Sequence, residues 1–155
     1  MGIFNKNKDS KKKKAGKAAL KPINYPPKIL LAWGEVISGN SKIRTWMMDN
    51  GYPELGIFYH ALRNDVKAKD WLMNNGYPHL LAMISGGEGD QIALKWLQQF
   101  NFTLLRNMAL AIDGHKEAKQ WLLQHDKLYA GLAMKMERVK NDIDLKNNSP
   151  HTINP

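Results

Sequence analysis

Lysine and arginine are the residues of this chain whose placement most suggests chemistry with a partner. Seven lysines lie within residues 6–17, in the stretch KNKDSKKKKAGK. A second set of basic residues recurs near one position of a 25-residue period, and we call this set the basic ridge. Clusters of this kind bind nucleic acid phosphates or anionic lipid headgroups. The candidate polyanion-binding residues are Lys11, Lys12, Lys13, Lys14, Lys17, Arg44, Lys69, Lys95 and Lys119.

No other residue type forms a catalytic or metal-binding pattern. The chain has no cysteine, and therefore no thiolate metal site and no cysteine nucleophile. No two of its five histidines lie three or four residues apart, so they lack ligand spacing. The stretch SGGEGD lacks the Gly-Lys-Ser/Thr ending of a phosphate-binding loop, and we interpret it as a turn before a cap at Asp90. The sequence predicts no enzyme, no cofactor and no metal.

The elements that would position the basic ridge are repeated. Four tryptophans lie 25 residues apart, and each is followed by an apolar residue; they are Trp46, Trp71, Trp96 and Trp121. A regular period of this size is typical of stacked supersecondary units. Because every unit has one tryptophan at the same position, we predict that the four side chains are buried in the core. The alternative is that they form a row of rings that stacks on a ligand.

Each unit has the pattern of two short helices joined by a tight turn. In the copy that begins NDVKAKDW, Asp65 is predicted to cap the first helix and Gly76 to end it. Pro78 fits the first turn of the second helix, which we expect Gly86 and Gly87 to terminate. Because helices of about ten residues are marginal alone, packing between units must stabilise them.

Charge and composition divide the chain into three parts. Residues 1–28 carry +8 of the formal net charge of +9, and residues 1–27 are predicted to be a disordered basic arm with a proline hinge. Residues 28–145 are the predicted helical-repeat domain, and residues 146–155 a disordered tail. No apolar run is longer than five residues, as at residues 29–33, which is too short to cross a bilayer, and the N-terminus lacks the apolar segment of a secretory signal. We expect a soluble, cytoplasmic protein.

The predicted fold class is all-α, an α-solenoid of about four αα-hairpin repeats. The first helix, residues 28–37, aligns with the second helix of a unit and would form a half-repeat N-terminal cap. The last helix, from Lys127 to about Leu145, would be a long C-terminal capping helix with a polar outer face. Such caps keep solenoids soluble.

One copy of the unit resembles an ankyrin repeat. The stretch GHKEAKQWLLQHD is similar to the second ankyrin helix, LLRNMALAI to the first, and YPEL and YPHL stand where the repeat would open. The matching positions are Gly114, His115, Glu117, Ala118, Leu122 and Leu123. The unit departs from ankyrin in its 25-residue length, which has no room for the β-hairpin. The resemblance implies a binding scaffold without the hairpin-tip recognition surface.

These features together predict a scaffold or adaptor for protein–protein interaction, whose basic arm attracts an acidic partner. Two alternatives stay open: a nucleic-acid-associated protein that uses the arm and the ridge on a phosphate backbone, and a membrane-peripheral scaffold. The ordinary explanations are a solvated helix face for the ridge and a solubilising tail for the arm. An adaptor should bind through its near-neutral repeats, whereas phosphate binding should depend on the lysines and on salt.

Overall fold

Within residues 20–148, which are the part of the chain that the computed structural model describes, every regular element is an α-helix. The helices are α1 Pro27–Ile37, α2 Ser41–Asp49, α3 Pro53–Leu62, α4 Val66–Asn74, α5 Pro78–Gly87, α6 Gln91–Gln99, α7 Thr103–Ile112, α8 Lys116–His125 and α9 Lys127–Asn148. The predicted all-α class is confirmed. None of these helices is both long and apolar enough to span a membrane.

The helix boundaries follow from local signals. The side chains of Asn40, Asp65 and Asp90 each accept a hydrogen bond from a backbone N–H of the helix that follows, which satisfies donors that the first turn leaves unpaired. Pro53 and Pro78 begin α3 and α5, where a missing N–H costs nothing. The predicted caps at Asp65 and Asp90 and the proline start of α5 are confirmed.

The helices recur with a constant offset and pack mainly against their neighbours. The helices α2, α4, α6 and α8, which we call the outer helices, begin 25 residues apart. Each of them lies between two members of the set α1, α3, α5, α7 and α9, which we call the inner helices, and successive inner helices contact one another. The inner helix α9 also contacts α1. Lys135 donates to the Ser38 hydroxyl at 3.2 Å, so the two ends of the helical array meet.

The core lies between the inner helices. Trp33, Phe58, Met83 and Met108 occupy equivalent positions of four inner helices and are fully buried, and Ala133 takes this position in α9. The rings of Trp33 and Phe58 meet edge to face at 5.2 Å between centroids, a favourable aromatic geometry. The interpretation of these methionines as packing residues is confirmed.

The tryptophan column is not in the core, so the prediction that it would be buried is wrong. Trp46 is 47 % exposed, and Trp71, Trp96 and Trp121 are only partly buried. The residue after each tryptophan is buried instead; these residues are Met47, Leu72, Leu97 and Leu122. Each outer helix packs on the inner helices mainly through two positions: the residue after the tryptophan and the residue four positions before that one.

Two glycines permit the close approach of α5 to its neighbours. The helix continues through Gly86 and Gly87, which the sequence suggested as terminators, and ends after them. A Cβ atom on Gly86 would lie 2.9 Å from Leu94 Cδ2, and one on Gly87 would lie 2.7 Å from Ile112 Cγ2. Both distances are shorter than van der Waals contact, so these positions have no room for a side chain.

The predicted domain limits are close to the helix ends that the structure shows. The first helix begins at Pro27, one residue before the predicted start, and α9 extends to Asn148, three residues beyond its predicted end. Residues 20–26 belong to the predicted arm and hinge, and they lie against the helices. The predicted disorder of residues 1–19 and 149–155 concerns positions outside the described part of the chain.

Candidate peptide-binding face

One surface collects the aromatic residues of the outer helices. It consists of the turns at residues 50–52, 75–77 and 100–102 together with the first residues of the inner helices that follow, and we call it the turn face. Three tryptophans stack here on the aromatic residue six positions later, with centroid distances of 5.8 to 6.3 Å. The pairs are Trp46 with Tyr52, Trp71 with Tyr77, and Trp96 with Phe102. In the fourth unit, where the residue six positions after the tryptophan is Lys127, Trp121 stacks on His125 instead.

An extended segment of the chain occupies part of the turn face. Residues 20–26, which we call the strap, contain no helix or strand, and Ile23 and Tyr25 pack against the core. The backbone N–H of Lys21 donates to the carbonyl of Gly76 at 2.8 Å. The carbonyl of Lys21 lies 2.7 Å from Nε2 of His79. The backbone N–H and the backbone carbonyl of Lys21 are thus both hydrogen-bonded to residues of the turn face.

Tyr25 anchors the strap through its hydroxyl and its ring. Its hydroxyl donates to Oε2 of Glu54 at 2.6 Å, and Glu54 is only 4 % exposed. The Tyr25 ring meets Trp33 and Tyr52 edge to face, at 6.3 and 6.0 Å. Burial, and then the hydrogen bond to Glu54, raise the pKa of Tyr25 well above its ordinary value. Burial and the same carboxylate raise the pKa of Tyr77 to about 12.

His79 holds the strap as a neutral donor. It is 1 % exposed, with its ring parallel to Tyr77 at 6.0 Å and tilted on Phe102 at 5.0 Å. Donation from Nε2 to the Lys21 carbonyl leaves Nδ1 without a proton, and Nδ1 has no hydrogen-bond partner among the described residues. Burial lowers the pKa of His79, and the hydrogen bond to Lys21 opposes this only in part. The geometry therefore suits the neutral imidazole.

The sequence did not identify the strap contacts. Glu54 and His79 lie 25 residues apart, at the same position near the start of two inner helices. A polar residue at this position in two units was the available signal, but polar residues at helix N-termini are usually explained by capping or by the helix dipole.

Most residues of the predicted basic ridge contact other residues of the same chain. Lys69 donates to the side chain of Asn64 at 3.2 Å, and Lys119 pairs with Glu137 at 3.0 Å. The guanidinium of Arg44 lies 4.3 Å above the Tyr59 ring. Lys95, one position off this column, is exposed. Arg44 and Lys119 make these contacts with the following inner helix, and Lys69 with the turn before its own helix, so the three cations are not presented as a row of free charges. The lysines of the arm, Lys11, Lys12, Lys13, Lys14 and Lys17, lie outside the described residues.

Arg63 joins Arg44 in a basic cluster that the sequence did not indicate. Its guanidinium lies 3.7 Å from the centroid of the Tyr59 ring, and it donates to the carbonyls of Tyr59 and Ile37. Within residues 20–148 neither arginine has a carboxylate at salt-bridge distance. Burial and the charge of Arg44 lower the pKa of Arg63, while Tyr59 opposes them. Among the described residues of the predicted ridge, Lys119 is paired with an acid, whereas Arg44 and its neighbour Arg63 form a cationic cluster without one.

The remaining concave features are less organised. A cleft of about 300 Å³ between α8 and α9 is lined mainly by apolar residues, including Leu122, Leu123 and Met134. In the described part of the chain, no three histidine or acidic side chains lie close enough to share a metal ion. No protein family, curated protein sequence or solved structure was found to match this chain.

Proposed function

We propose that this chain is a helical-repeat scaffold for protein–protein interaction, without catalytic activity, which binds an extended peptide on its turn face. The observation that carries the proposal is the strap. A segment of seven residues lies on that face as a bound peptide would, with its backbone paired at Lys21 and one side chain inserted at Tyr25. Backbone hydrogen bonds supply affinity for any extended segment, and side-chain sites supply specificity.

The architecture in this proposal is an ankyrin-like tandem array of four αα-hairpins, with α1 as a half-repeat and α9 as the final capping helix. The constant offset of the outer helices supports it. The contact between α1 and α9 adds that the array curves until its ends meet. The proposal also places the protein in the cytoplasm, where its cysteine-free sequence needs no disulfide framework.

Binding of a strap peptide in trans tests this function. A fluorescein-labelled peptide LKPINYPP, the sequence of residues 20–27, is titrated with the full chain carrying Tyr25→Ala and with the wild type. We expect tighter binding to the variant, because its own strap competes less well for the face. A peptide with phenylalanine in place of tyrosine should bind roughly tenfold or more weakly, since a hydrogen bond to a charged group contributes about 1.5–3 kcal/mol.

The matched control is the same Tyr25→Ala chain with Glu54→Gln, which keeps the shape of the site and removes the charge of the group that accepts the hydrogen bond from the tyrosine hydroxyl. Circular dichroism establishes that each variant is folded. A folded Tyr25→Ala chain that binds neither peptide, or binds the tyrosine and phenylalanine peptides equally, would contradict the proposal.

Polyanion binding is a second candidate function, which the Arg44–Arg63 cluster favours because it lacks a balancing acid. Together with the lysine-rich arm, it would bind phosphate backbones without reading sequence. If five to seven lysines each contact a phosphate, log K should fall with log salt with a slope of about −3.5 to −5 on single-stranded RNA. Arg44→Ala should weaken binding more than Lys95→Ala, its exposed neighbour in the ridge. Equal effects, or no binding at low salt, would eliminate this candidate.

A further inference from the structure

We propose that the cleft between α8 and α9 binds a small aliphatic molecule with an anionic head group, of the class of medium-chain carboxylates. Its volume of about 300 Å³ lies at the lower end of the range of small-molecule sites. None of the described residues that line the cleft belongs to the turn face. The inference therefore goes beyond the proposed function and does not rest on it.

The floor of the cleft lies where the repeat changes from large to small residues. At the positions of Ala130 and Ala133, the four preceding inner helices carry large apolar side chains, all of them buried. They are Leu30, Leu55, Leu80 and Leu105 in the first column, and Trp33, Phe58, Met83 and Met108 in the second. A large-to-small change leaves a cavity, because the surrounding structure relaxes only in part. The two alanines, which both line the cleft, thus account for the space beneath α8.

The walls of the cleft are apolar and adaptable. Leu122 of α8 is buried, whereas Leu123 of α8 and Met134 of α9 are 50 % and 49 % exposed. Apolar cavities hold water poorly and accept apolar ligands, and the unbranched side chain of methionine adjusts to irregular shapes. An aliphatic chain on this floor would cover both half-exposed side chains.

The rim of the cleft selects the charge of the ligand. Lys119 and Glu137 both line it and pair with each other at 3.0 Å, from α8 to α9. Arg138 also lines it and is exposed. Within residues 20–148, Arg138 has neither a carboxylate at salt-bridge distance nor another polar partner. Its guanidinium is therefore available to a carboxylate, which it can bind through two parallel hydrogen bonds.

The equivalent arginine of the first unit has a different environment. Arg63 lies three periods before Arg138, and its guanidinium stacks on the Tyr59 ring at 3.7 Å and donates to two backbone carbonyls. In α9 the position of Tyr59 is taken by Met134, which has no ring for a guanidinium to stack on. The arginine of the fourth unit thus lacks the contacts that fix Arg63, and it stands beside the cleft instead.

Titration of the full chain, labelled with ¹³C at its methyl groups, with sodium octanoate tests the inference. We expect saturable shifts at the methyl groups of Leu123 and Met134, and none at Met47, a buried residue of the first unit. Each buried methylene contributes about fourfold to Kd, so octanoate should bind about fifteenfold more tightly than hexanoate. Uncharged 1-octanol should bind more weakly than octanoate, and octylamine more weakly still.

Arg138→Gln isolates the contribution of the head group. It should weaken octanoate binding roughly tenfold or more, because a hydrogen bond to a charged group is lost, and leave the binding of 1-octanol unchanged. The matched control is Lys127→Gln, which removes an exposed charge of the same helix outside the cleft. It should change the binding of neither molecule.

Ala133→Met isolates the contribution of the chain. It restores the residue that the second and third units carry at this position, and it should abolish the binding of octanoate and of 1-octanol. Ala130→Leu fills the same space from the other column and should have the same effect. Circular dichroism establishes that each variant is folded.

Four results would overturn the inference. They are the absence of saturable shifts at Leu123 and Met134, equal binding of octanoate and octylamine, equal weakening of octanoate and 1-octanol by Arg138→Gln, and unchanged octanoate binding in a folded variant with a filled cleft. The strap peptide experiment changes only residues of the strap and the turn face. Failure of ligand binding is therefore distinguishable from failure of the proposed function.

Discussion

The hydrogen bond from Tyr25 to Glu54 is the most direct test of how the strap is held. Tyr25→Phe keeps the ring that packs on Trp33 and Tyr52 and removes only the hydroxyl. The variant leaves the Glu54 carboxylate, 4 % exposed, without the donor that lies 2.6 Å from it. A hydrogen bond to a charged group contributes about 1.5–3 kcal/mol. We expect the free energy of unfolding to fall by that amount.

The corresponding thermal shift is large enough to measure. A loss of 1 kcal/mol lowers Tm by about 3–5 °C for a domain of this size, so Tyr25→Phe should unfold about 5–15 °C below the wild type. Urea unfolding followed by circular dichroism gives the free energy directly. If the strap detaches before the helices unfold, the loss appears instead as faster amide exchange at Lys21, whose N–H is bonded to Gly76.

Tyr52→Phe is the matched control for this prediction. It removes a hydroxyl from the ring beside Tyr25, and no hydrogen bond of that hydroxyl is seen within residues 20–148. A double-mutant cycle with Glu54→Gln isolates the coupling between the two partners. The reasoning is refuted if Tyr25→Phe lies within about 0.5 kcal/mol of the wild type and leaves Lys21 exchange unchanged, or if Tyr52→Phe costs as much.

Three further predictions concern the helices and the buried histidine. Leu72→Ala should cost about 2–5 kcal/mol in urea unfolding, and Trp71→Ala less, because Leu72 is fully buried and Trp71 only partly; the reverse order would place the tryptophans in the core. Gly87→Ala should destabilise the fold by about 1–3 kcal/mol, because the added methyl group overpacks against α7. Gly131→Ala should stabilise it by about 0.5–1 kcal/mol, because there is open space at its Cβ. Thermal unfolding measures both effects. Because burial lowers the pKa of His79, the unfolded chain takes up this proton first as the pH falls below about 6.5. Stability at pH 5.5 should therefore drop relative to pH 7.5, and His79→Gln should flatten that part of the profile.

The helix boundaries could be predicted because their signals are local. An N-cap such as Asp65, a proline in the first turn such as Pro78 and a left-handed glycine such as Gly76 act within a few residues of the chain. The 25-residue period likewise gave the spacing of the outer helices. The contact between α1 and α9 was not predictable from these signals, because the curvature of a stack depends on how each pair of helices packs.

The candidate site was predicted less well, for a related reason. The sequence identified Arg44, Lys69 and Lys119 by charge and period, but it could not show that each of them contacts another residue of the chain. A helix has several faces that share one period. Which of them turns inward is decided by the neighbouring helices, and this is also why the tryptophans were predicted to be buried and are not.

The sequence by itself determined the all-α class, the length and caps of the helices, and the buried column of Trp33, Phe58, Met83 and Met108. Each of these features depends on local propensity or on periodicity. Only the tertiary structure decided where the strap lies. Its contacts join residues 29 and 58 positions apart, from Tyr25 to Glu54 and from Lys21 to His79. A hydrogen bond of this kind forms because packing brings donor and acceptor together and removes water from both, and no local pattern encodes that distance.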